Sequence, residues 1–309
     1  MITESRQILK KCFLCNKDNL LNKYFYQDQK INGTIIKSEY FNTKNSIYTC
    51  EECKISFCDD VSSDNLEKFY NTTSIIKPEN LINRFKEFNS RFFSQVLYYI
   101  NHCSLKENLK VLELGPNKLG ILPSLKIFQN KIIYYYFDQI KINHKFDNVI
   151  KLGDFWIPKK TKLPEVDLIW MSHSLEHIHP NDLKDVLESF HSCLSDDGKI
   201  FIEIPYDIKN QDFIVPHTLF FEIEGLVNLF KKFKFKIISI SEINNSKKKK
   251  DTNLRNISKN KKRKSIISQI YLKIQKFLPE KIVKKYAFKN FVLNGPNTTL
   301  PIIRMIVEK

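Results

Sequence analysis

Two pairs of closely spaced cysteines near the start of the chain could supply metal ligands. Cys12 and Cys15 are separated by two residues, as are Cys50 and Cys53, and 34 residues lie between the two pairs. Four thiolates at such spacings suit one tetrahedral zinc ion. Because four protein ligands leave no open coordination position, we predict that Zn2+ at these cysteines supports folding and takes no part in catalysis.

Histidine side chains further along the chain could carry proton transfers. His173 and His177 lie close together around Glu176, and His217 follows a later apolar segment. The charge of imidazole changes near neutral pH, so each histidine could accept a proton from a reacting group.

Alternating strands and helices would position these side chains. Helical patterns cover 181–194 and 225–233, and an earlier one covers 66–106 with apolar residues at spacings of three and four. The predicted strands are 110–115, 131–138, 148–152, 166–171, 199–204, 234–240 and 300–307. This alternation predicts an α/β fold with a doubly wound, Rossmann-like, seven-stranded and mostly parallel sheet. A small zinc-ribbon-like module would precede it.

The composition divides the chain into four predicted regions. A cysteine-rich zinc-binding module spans 1–65, and a helical linker spans 66–107. The α/β domain spans 108–245 together with 291–309, and a basic insertion with an amphipathic helix spans 246–290.

The net charge of +16 is concentrated in the insertion. Residues 246–290 contain 16 Lys and Arg against 2 Asp and Glu, which leaves 34 basic and 32 acidic residues for the rest of the chain. A basic amphipathic helix suits a lid over the active site, an anionic membrane or lipid-linked substrate reached through 247–289, or nucleic acid, which we consider the weaker of these. The sequence shows neither a signal peptide nor a long apolar run, so we predict a cytoplasmic protein, in part peripheral to the inner face of the membrane.

Two segments resemble class I S-adenosylmethionine-dependent methyltransferases. Residues 111–120, Val-Leu-Glu-Leu-Gly-Pro-Asn-Lys-Leu-Gly, resemble the first motif of that family. Residues 167–180, which include Ser-His-Ser-Leu-Glu-His, resemble the fourth-strand motif of its small-molecule members, and 199–205 continue the resemblance. Together the matches cover about 108–240. The resemblance implies an enzyme of this family that uses S-adenosyl-L-methionine.

The resemblance also implies a cofactor site at the carboxyl ends of the first strands. Gly115 would let the backbone approach the cofactor, although Asn117 stands where the family has a second glycine. Asp138, at the end of the second strand, would accept hydrogen bonds from the ribose. The implied cofactor-binding residues are Glu113, Gly115, Asn117, Asp138, Asp154, Phe155 and Ser172.

Methyl transfer is a direct displacement that often needs a base, for which His173 and His217 are the predicted catalytic residues. Residues 216–221 resemble the His-x-x-x-Phe stretch of methyltransferases that act on sugars. The Tyr and Glu that precede this His in the sugar C-methyltransferases are Ile214 and Pro216 here. We therefore expect O-methylation of a sugar or a similar polar small molecule, in surface polysaccharide biosynthesis.

Three alternatives remain open from the sequence. His173, Glu176 and His177 could hold a divalent cation, since some quinone-pathway relatives do so with a Glu in place of His173. The cysteine module and basic insertion could instead serve an RNA methyltransferase. The chain could also be a non-catalytic scaffold, for which Asn117 is the main support.

Overall fold

A computed structural model describes eleven stretches and three single residues of the chain, which together include the sheet and the cysteine pairs. They are 11–18, 20–25, 29–31, 34–36, 46–58, 90–116, 121–138, 146–154, 156 and 158, 161–210, 213, 217–243, and 301–309. The basic insertion, Asn117 and Phe155 lie outside the described residues, as do the first part of the predicted linker and the segment 247–289 that was predicted to meet a membrane or nucleic acid.

Short strands make up the N-terminal region. They are β1 (Leu20–Phe25), β2 (Gln29–Ile31), β3 (Thr34–Ile36), β4 (Ser46–Cys50) and β5 (Ile55–Phe57). β1, β4 and β5 pair antiparallel in that order, and β2 pairs with β3.

Seven further strands form the main sheet, and one more, β11 (Leu219–Phe221), does not. The seven are β6 (Leu109–Leu114), β7 (Ile132–Phe137), β8 (Val149–Gly153), β9 (Val166–Ser172), β10 (Leu194–Pro205), β12 (Lys236–Ile243) and β13 (Ile302–Glu308). Each predicted strand is confirmed to within a few residues. Runs of β-branched and aromatic residues such as that of β7 favour strands buried on both faces.

The strand order is β12-β13-β10-β9-β6-β7-β8. β8, β7, β6, β9 and β10 run parallel, whereas β13 is antiparallel to both of its neighbours. The predicted doubly wound, mostly parallel fold is therefore confirmed. The last strand of the chain, β13, lies inside the sheet between β10 and β12.

Helices cover both faces of the sheet. They are α1 (Ser90–His102), α2 (Leu122–Leu125), α3 (Leu183–Cys193), α4 (Asp207–Asn210) and α5 (Ile223–Lys232). α1 and α2 contribute to one core with alternate residues of the strands, among them Val111 and Trp170. α3 and α5 contribute to the opposite core together with Ile55 and Phe57 of the N-terminal region. None of the helices in the described part of the chain has the length and apolarity needed to cross a membrane.

The N-terminal region is joined to the rest of the protein by a shared sheet. β11 pairs antiparallel with β5, matching Leu219 to Phe57 and Phe221 to Ile55. Gly225, in the first turn of α5, packs so closely on Lys54 that a side chain there would overlap the Lys54 carbonyl group. The boundaries of the four predicted regions remain predictions, but the cysteine-rich region and the α/β region are in direct contact.

Candidate active site

The chain turns sharply at the carboxyl end of β6. Gly115 has φ of +64°, a conformation that a side chain would strain. Its N–H donates to the Phe137 carbonyl oxygen at 3.0 Å, and the Ser174 hydroxyl donates to the Leu114 carbonyl oxygen at 2.7 Å. Because Gly115 is exposed, its backbone is open to a ligand at this edge of the sheet.

Carboxylates follow the two neighbouring strands. Asp138 comes directly after β7, where its N–H donates to the Gly153 carbonyl oxygen at 3.2 Å. Asp154 comes directly after β8 and forms an exposed ion pair with Lys151 at 2.5 Å. Since β6, β7 and β8 are adjacent and parallel, Gly115, Asp138 and Asp154 lie along one edge of the sheet.

Glu113, two residues before Gly115, lies close enough to Asp138 for the two carboxyl groups to interact electrostatically. Its side chain is buried, and the Tyr134 hydroxyl donates a hydrogen bond to its carboxylate. Burial raises the pKa of Glu113 to about 8, and the hydrogen bond from Tyr134 opposes that rise only in part.

A buried carboxylate organises the end of β9. Glu203 on β10 accepts hydrogen bonds from Arg304 Nε at 2.7 Å, Arg91 Nε at 2.9 Å and Gln95 Nε2 at 2.6 Å. Arg91 and Gln95, both on α1, also donate to the Ser172 hydroxyl. Burial alone would raise the pKa of Glu203, but His173, Arg304 and Arg91 outweigh it and hold the pKa well below its ordinary value.

His173 is held in an uncommon backbone conformation beside this carboxylate. Its φ is +56°, and its N–H donates to the Glu203 carbonyl oxygen at 2.8 Å. Its Nδ1 lies 3.5 Å from Glu176 Oε1, and its Nε2 lies 3.5 Å from Glu203 Oε1. A non-glycine residue with positive φ costs free energy and tends to occur at functional sites.

Glu176, His177 and His217 form a second cluster next to His173. One ligand atom from each lies within 4.8 Å of the others, and the two imidazole rings meet edge to face. Glu176 is fully buried, which raises its pKa despite the opposing effect of His173 and His217. Glu176 and His177 belong to a 3-10 turn, Leu175–His177, that follows β9.

A carboxylate from α4 fixes the ring of His217. Asp207 Oδ2 lies 2.8 Å from His217 Nδ1, and both side chains are almost entirely buried. An ionised Asp207 accepts a hydrogen bond from Nδ1–H, which assigns the other ring nitrogen, Nε2, as the basic one.

The four predicted metal-ligand cysteines come together. Their sulfur atoms all lie within 4.8 Å of one another, with Cys12 to Cys53 at 3.9 Å and Cys15 to Cys50 at 3.6 Å. Thiolates around one tetrahedral zinc are separated by about 3.8 Å, from a Zn–S distance of about 2.3 Å. The donor set and its dimensions therefore fit zinc.

Thr218 connects the cysteine-rich region to the histidine cluster. Its carbonyl oxygen accepts from the Cys58 N–H at 2.9 Å, at the end of β5. Its own N–H donates to the Glu176 carbonyl oxygen at 2.8 Å, and its hydroxyl donates to the Ile178 carbonyl oxygen at 2.7 Å. His217 precedes this residue, so the position of its ring depends on β5 as well as on Asp207.

Residues 85–240, just over half of the chain, match a family described as a methyltransferase domain. This protein is a class I S-adenosylmethionine-dependent methyltransferase. The matched residues include the carboxyl ends of β6 to β10, at which Gly115, His173 and His217 lie.

Solved structures of other methyltransferases are similar to this methyltransferase at low identity. A Haloferax volcanii complex of the Trm112 methyltransferase activator with a putative methyltransferase gives 10% identity over 79% of this chain and 96% of that chain, with a TM-score of 0.49. A Burkholderia thailandensis 1,6-didemethyltoxoflavin-N1-methyltransferase gives 13% over 80% and 86%, with a TM-score of 0.44. An Archaeoglobus fulgidus SAM-dependent methyltransferase gives 18% over 75% and 100%, with a TM-score of 0.43. No curated protein matches significantly.

The predicted site residues of the methyltransferase fall into three groups. Gly115, Asp138 and Asp154 share the edge formed by β6 to β8, whereas Ser172 is engaged by α1 on the side of β10. His173 and His217 both lie near Glu176, and both oppose the rise of its pKa that burial causes. The cluster of potential metal ligands contains His217 where the sequence suggested His173.

The sequence of this methyltransferase did not reveal that Asp207 is the partner of His217. In the sugar C-methyltransferases the residues that assist this His stand one and three positions before it. Here its carboxylate partner lies ten residues before it. An acidic residue soon after the end of β10 was the available signal. Arg91, Gln95 and Glu203 were also missed, because they meet across 112 residues of sequence.

Proposed function

We propose that this methyltransferase transfers a methyl group to a hydroxyl of a sugar or a similar polar small molecule, with His217 as the general base. The paired side chains of Asp207 and His217 carry this proposal, because a buried imidazole that donates Nδ1–H to a carboxylate presents a basic Nε2. A hydroxyl is a weak nucleophile until its proton is removed, so such a base suits O-methylation.

Bound S-adenosylmethionine supplies the methyl group. We assign its binding to the loop after β6 and to the carboxyl ends of β7 and β8, where exposed backbone at Gly115 lies beside the carboxylates of Asp138 and Asp154. We include Ser172, Asn117 and Phe155 among the proposed cofactor-binding residues only because of the sequence resemblance to the methyltransferase family. Glu113 contributes by holding the loop, given its burial.

His217 would take the hydroxyl proton on Nε2 as the bond from the acceptor oxygen to the methyl carbon forms and the sulfur–methyl bond breaks, with S-adenosylhomocysteine as the leaving group. Asp207 stabilises the resulting imidazolium, because its carboxylate already accepts the Nδ1 hydrogen. His173, held at positive φ between two carboxylates, would position the acceptor.

We further propose a structural zinc ion on Cys12, Cys15, Cys50 and Cys53, which keeps β5 in place and thereby supports β11 and His217. The cysteine module together with the His-x-x-x-Phe stretch supports a sugar as the methyl acceptor. A sugar acceptor in turn accords with a role in surface polysaccharide assembly.

The test combines cofactor binding with product detection. Calorimetry with S-adenosylmethionine should give saturable binding for the wild-type protein and for His217→Gln. Extracts incubated with trideuteromethyl-labelled cofactor should yield a labelled sugar or glycan with the wild-type protein. Turnover should fall by roughly 100-fold or more in His217→Gln, the usual scale of general-base catalysis, and less in Asp207→Asn. Unchanged turnover in His217→Gln would exclude this base.

His102→Gln is the matched control. His102 lies on the exposed end of α1 and contacts only its own helix and Tyr98 among the contacts that the structure shows. Its turnover should equal that of the wild-type protein. A labelled product whose methyl group sits on carbon or nitrogen would contradict O-methylation while leaving the enzyme class intact.

A further inference from the structure

Two buried carboxylates lie beside three histidines, and within the described part of the chain neither carboxylate forms an ion pair with a lysine or an arginine. Glu176 and Asp207 are 1% and 3% exposed. Among the described residues, the ion pairs of Glu176 are with His173 and His177, and that of Asp207 is with His217. With neutral imidazoles this pocket carries two negative charges, and burying such charge without a counterion is costly.

The carboxylate of Glu176 has unused hydrogen-bonding capacity. Neither of its oxygens accepts a hydrogen bond from another described residue, although the side chain is buried. The nearest histidine nitrogens, His173 Nδ1 and His177 Nε2, are 3.5 and 4.0 Å away. Buried polar atoms normally find partners, and an ion is one of the groups that explain an exception.

We propose that Glu176, His177 and His217 bind a divalent first-row transition-metal ion. One carboxylate and two imidazoles form a donor set that such ions favour. Their ligand atoms lie within 4.8 Å of one another, and ligands of one zinc ion are separated by about 3.3 Å, so binding requires the three to approach by up to roughly 1.5 Å.

Asp207 supports the proposed metal site through a contact with a ligand, without binding the ion itself. Histidine ligands commonly donate their second ring N–H to a carboxylate, which fixes the tautomer and strengthens the nitrogen that binds the metal. Asp207 makes this contact with His217 Nδ1, so His217 Nε2 is the coordinating atom. Three protein ligands leave at least one coordination position for water or another small ligand.

This site differs from the cysteine cluster and competes with the proposed role of His217. A metal on Nε2 and a proton on Nε2 exclude each other, so a protein loaded at this site cannot use His217 as a base. The proposal does not depend on the methyl acceptor, because metal binding can be measured on the protein alone.

The experiment measures how many zinc ions the full-length protein binds. After equilibrium dialysis against Zn2+ and elemental analysis, the wild-type protein should hold two equivalents and His217→Gln one. Glu176→Gln and His177→Gln should also hold one, and the half-exposed His177 keeps the test valid if the buried Glu176 variant fails to fold. His102→Gln should hold two.

The cysteine site is counted separately. Cys53→Ser should lose the equivalent at the cysteines and keep the one at the histidines. A wild-type protein that holds only one equivalent would overturn the proposal, as would a histidine variant that retains two. Loss of methylation in His217→Gln without a change in metal content would support the base and exclude the metal site.

Discussion

Replacing Glu203 with glutamine tests the buried network that connects α1, β10 and β13. The Glu203 side chain is wholly buried, and that of Arg304 is 3% exposed. Glutamine preserves the shape of the side chain but removes the charge. Its amide N–H groups would face the N–H donors of Arg91 or Arg304, so that hydrogen bond would be lost. Leaving a buried guanidinium without its counterion costs about 3–5 kcal/mol.

The assay measures urea unfolding of the wild-type protein and of Glu203→Gln, with circular dichroism as the signal. We expect the free energy of unfolding to fall by that amount, with a melting temperature lower by roughly 6–20 °C at about 2–4 °C per kcal/mol. Glu188→Gln is the matched control, since the pair of Glu188 with Lys184 is exposed and such pairs contribute about 0.3–0.5 kcal/mol.

The difference in unfolding free energy between the wild-type protein and Glu203→Gln should also depend on pH. The pKa of Glu203 is held below its unfolded value, so its charge stabilises the fold fully above about pH 4.5 and loses that effect as pH falls toward the folded pKa. The gap between wild type and Glu203→Gln should therefore narrow in acid. A loss below about 1 kcal/mol at pH 7, or a gap that widens in acid, would refute the reasoning.

Three further predictions concern the core, the contact between the two regions, and the cysteines. Burial raises the pKa of Glu113 to about 8, so wild-type stability should decline as pH rises from about 4.5 to 8, and Glu113→Gln should remove that part of the decline in unfolding measured across this range. Gly225→Ala should cost about 1–3 kcal/mol and hasten zinc release to a chromogenic chelator, because its methyl group overlaps the Lys54 carbonyl group; an unchanged protein would show that the contact adjusts freely. Removing only the zinc at the cysteines, by Cys53→Ser, should lower both the melting temperature and methylation, since β5 supports β11; full activity without metal at the cysteines would contradict that coupling.

Local sequence determined most of the fold. The apolar run of β7 predicted a buried strand. Gly115, directly after β6, predicted the turn, because glycine readily adopts the positive φ found there. The spacing of Phe92, Val96 and Tyr99 predicted a helix, and all three contribute to one core. The cysteine pairs predicted their own cluster, because each pair is a short hook whose two thiols already point to one centre.

Tertiary structure decided the partners of the site. Asp207 meets His217 across ten residues, and Glu203 meets Arg91 and Arg304 across about a hundred in either direction. The position of β13 inside the sheet and the pairing of β5 with β11 likewise join distant segments. Periodicity and spacing report only on neighbours along the chain, whereas burial and ion pairing depend on which elements the packed fold brings together.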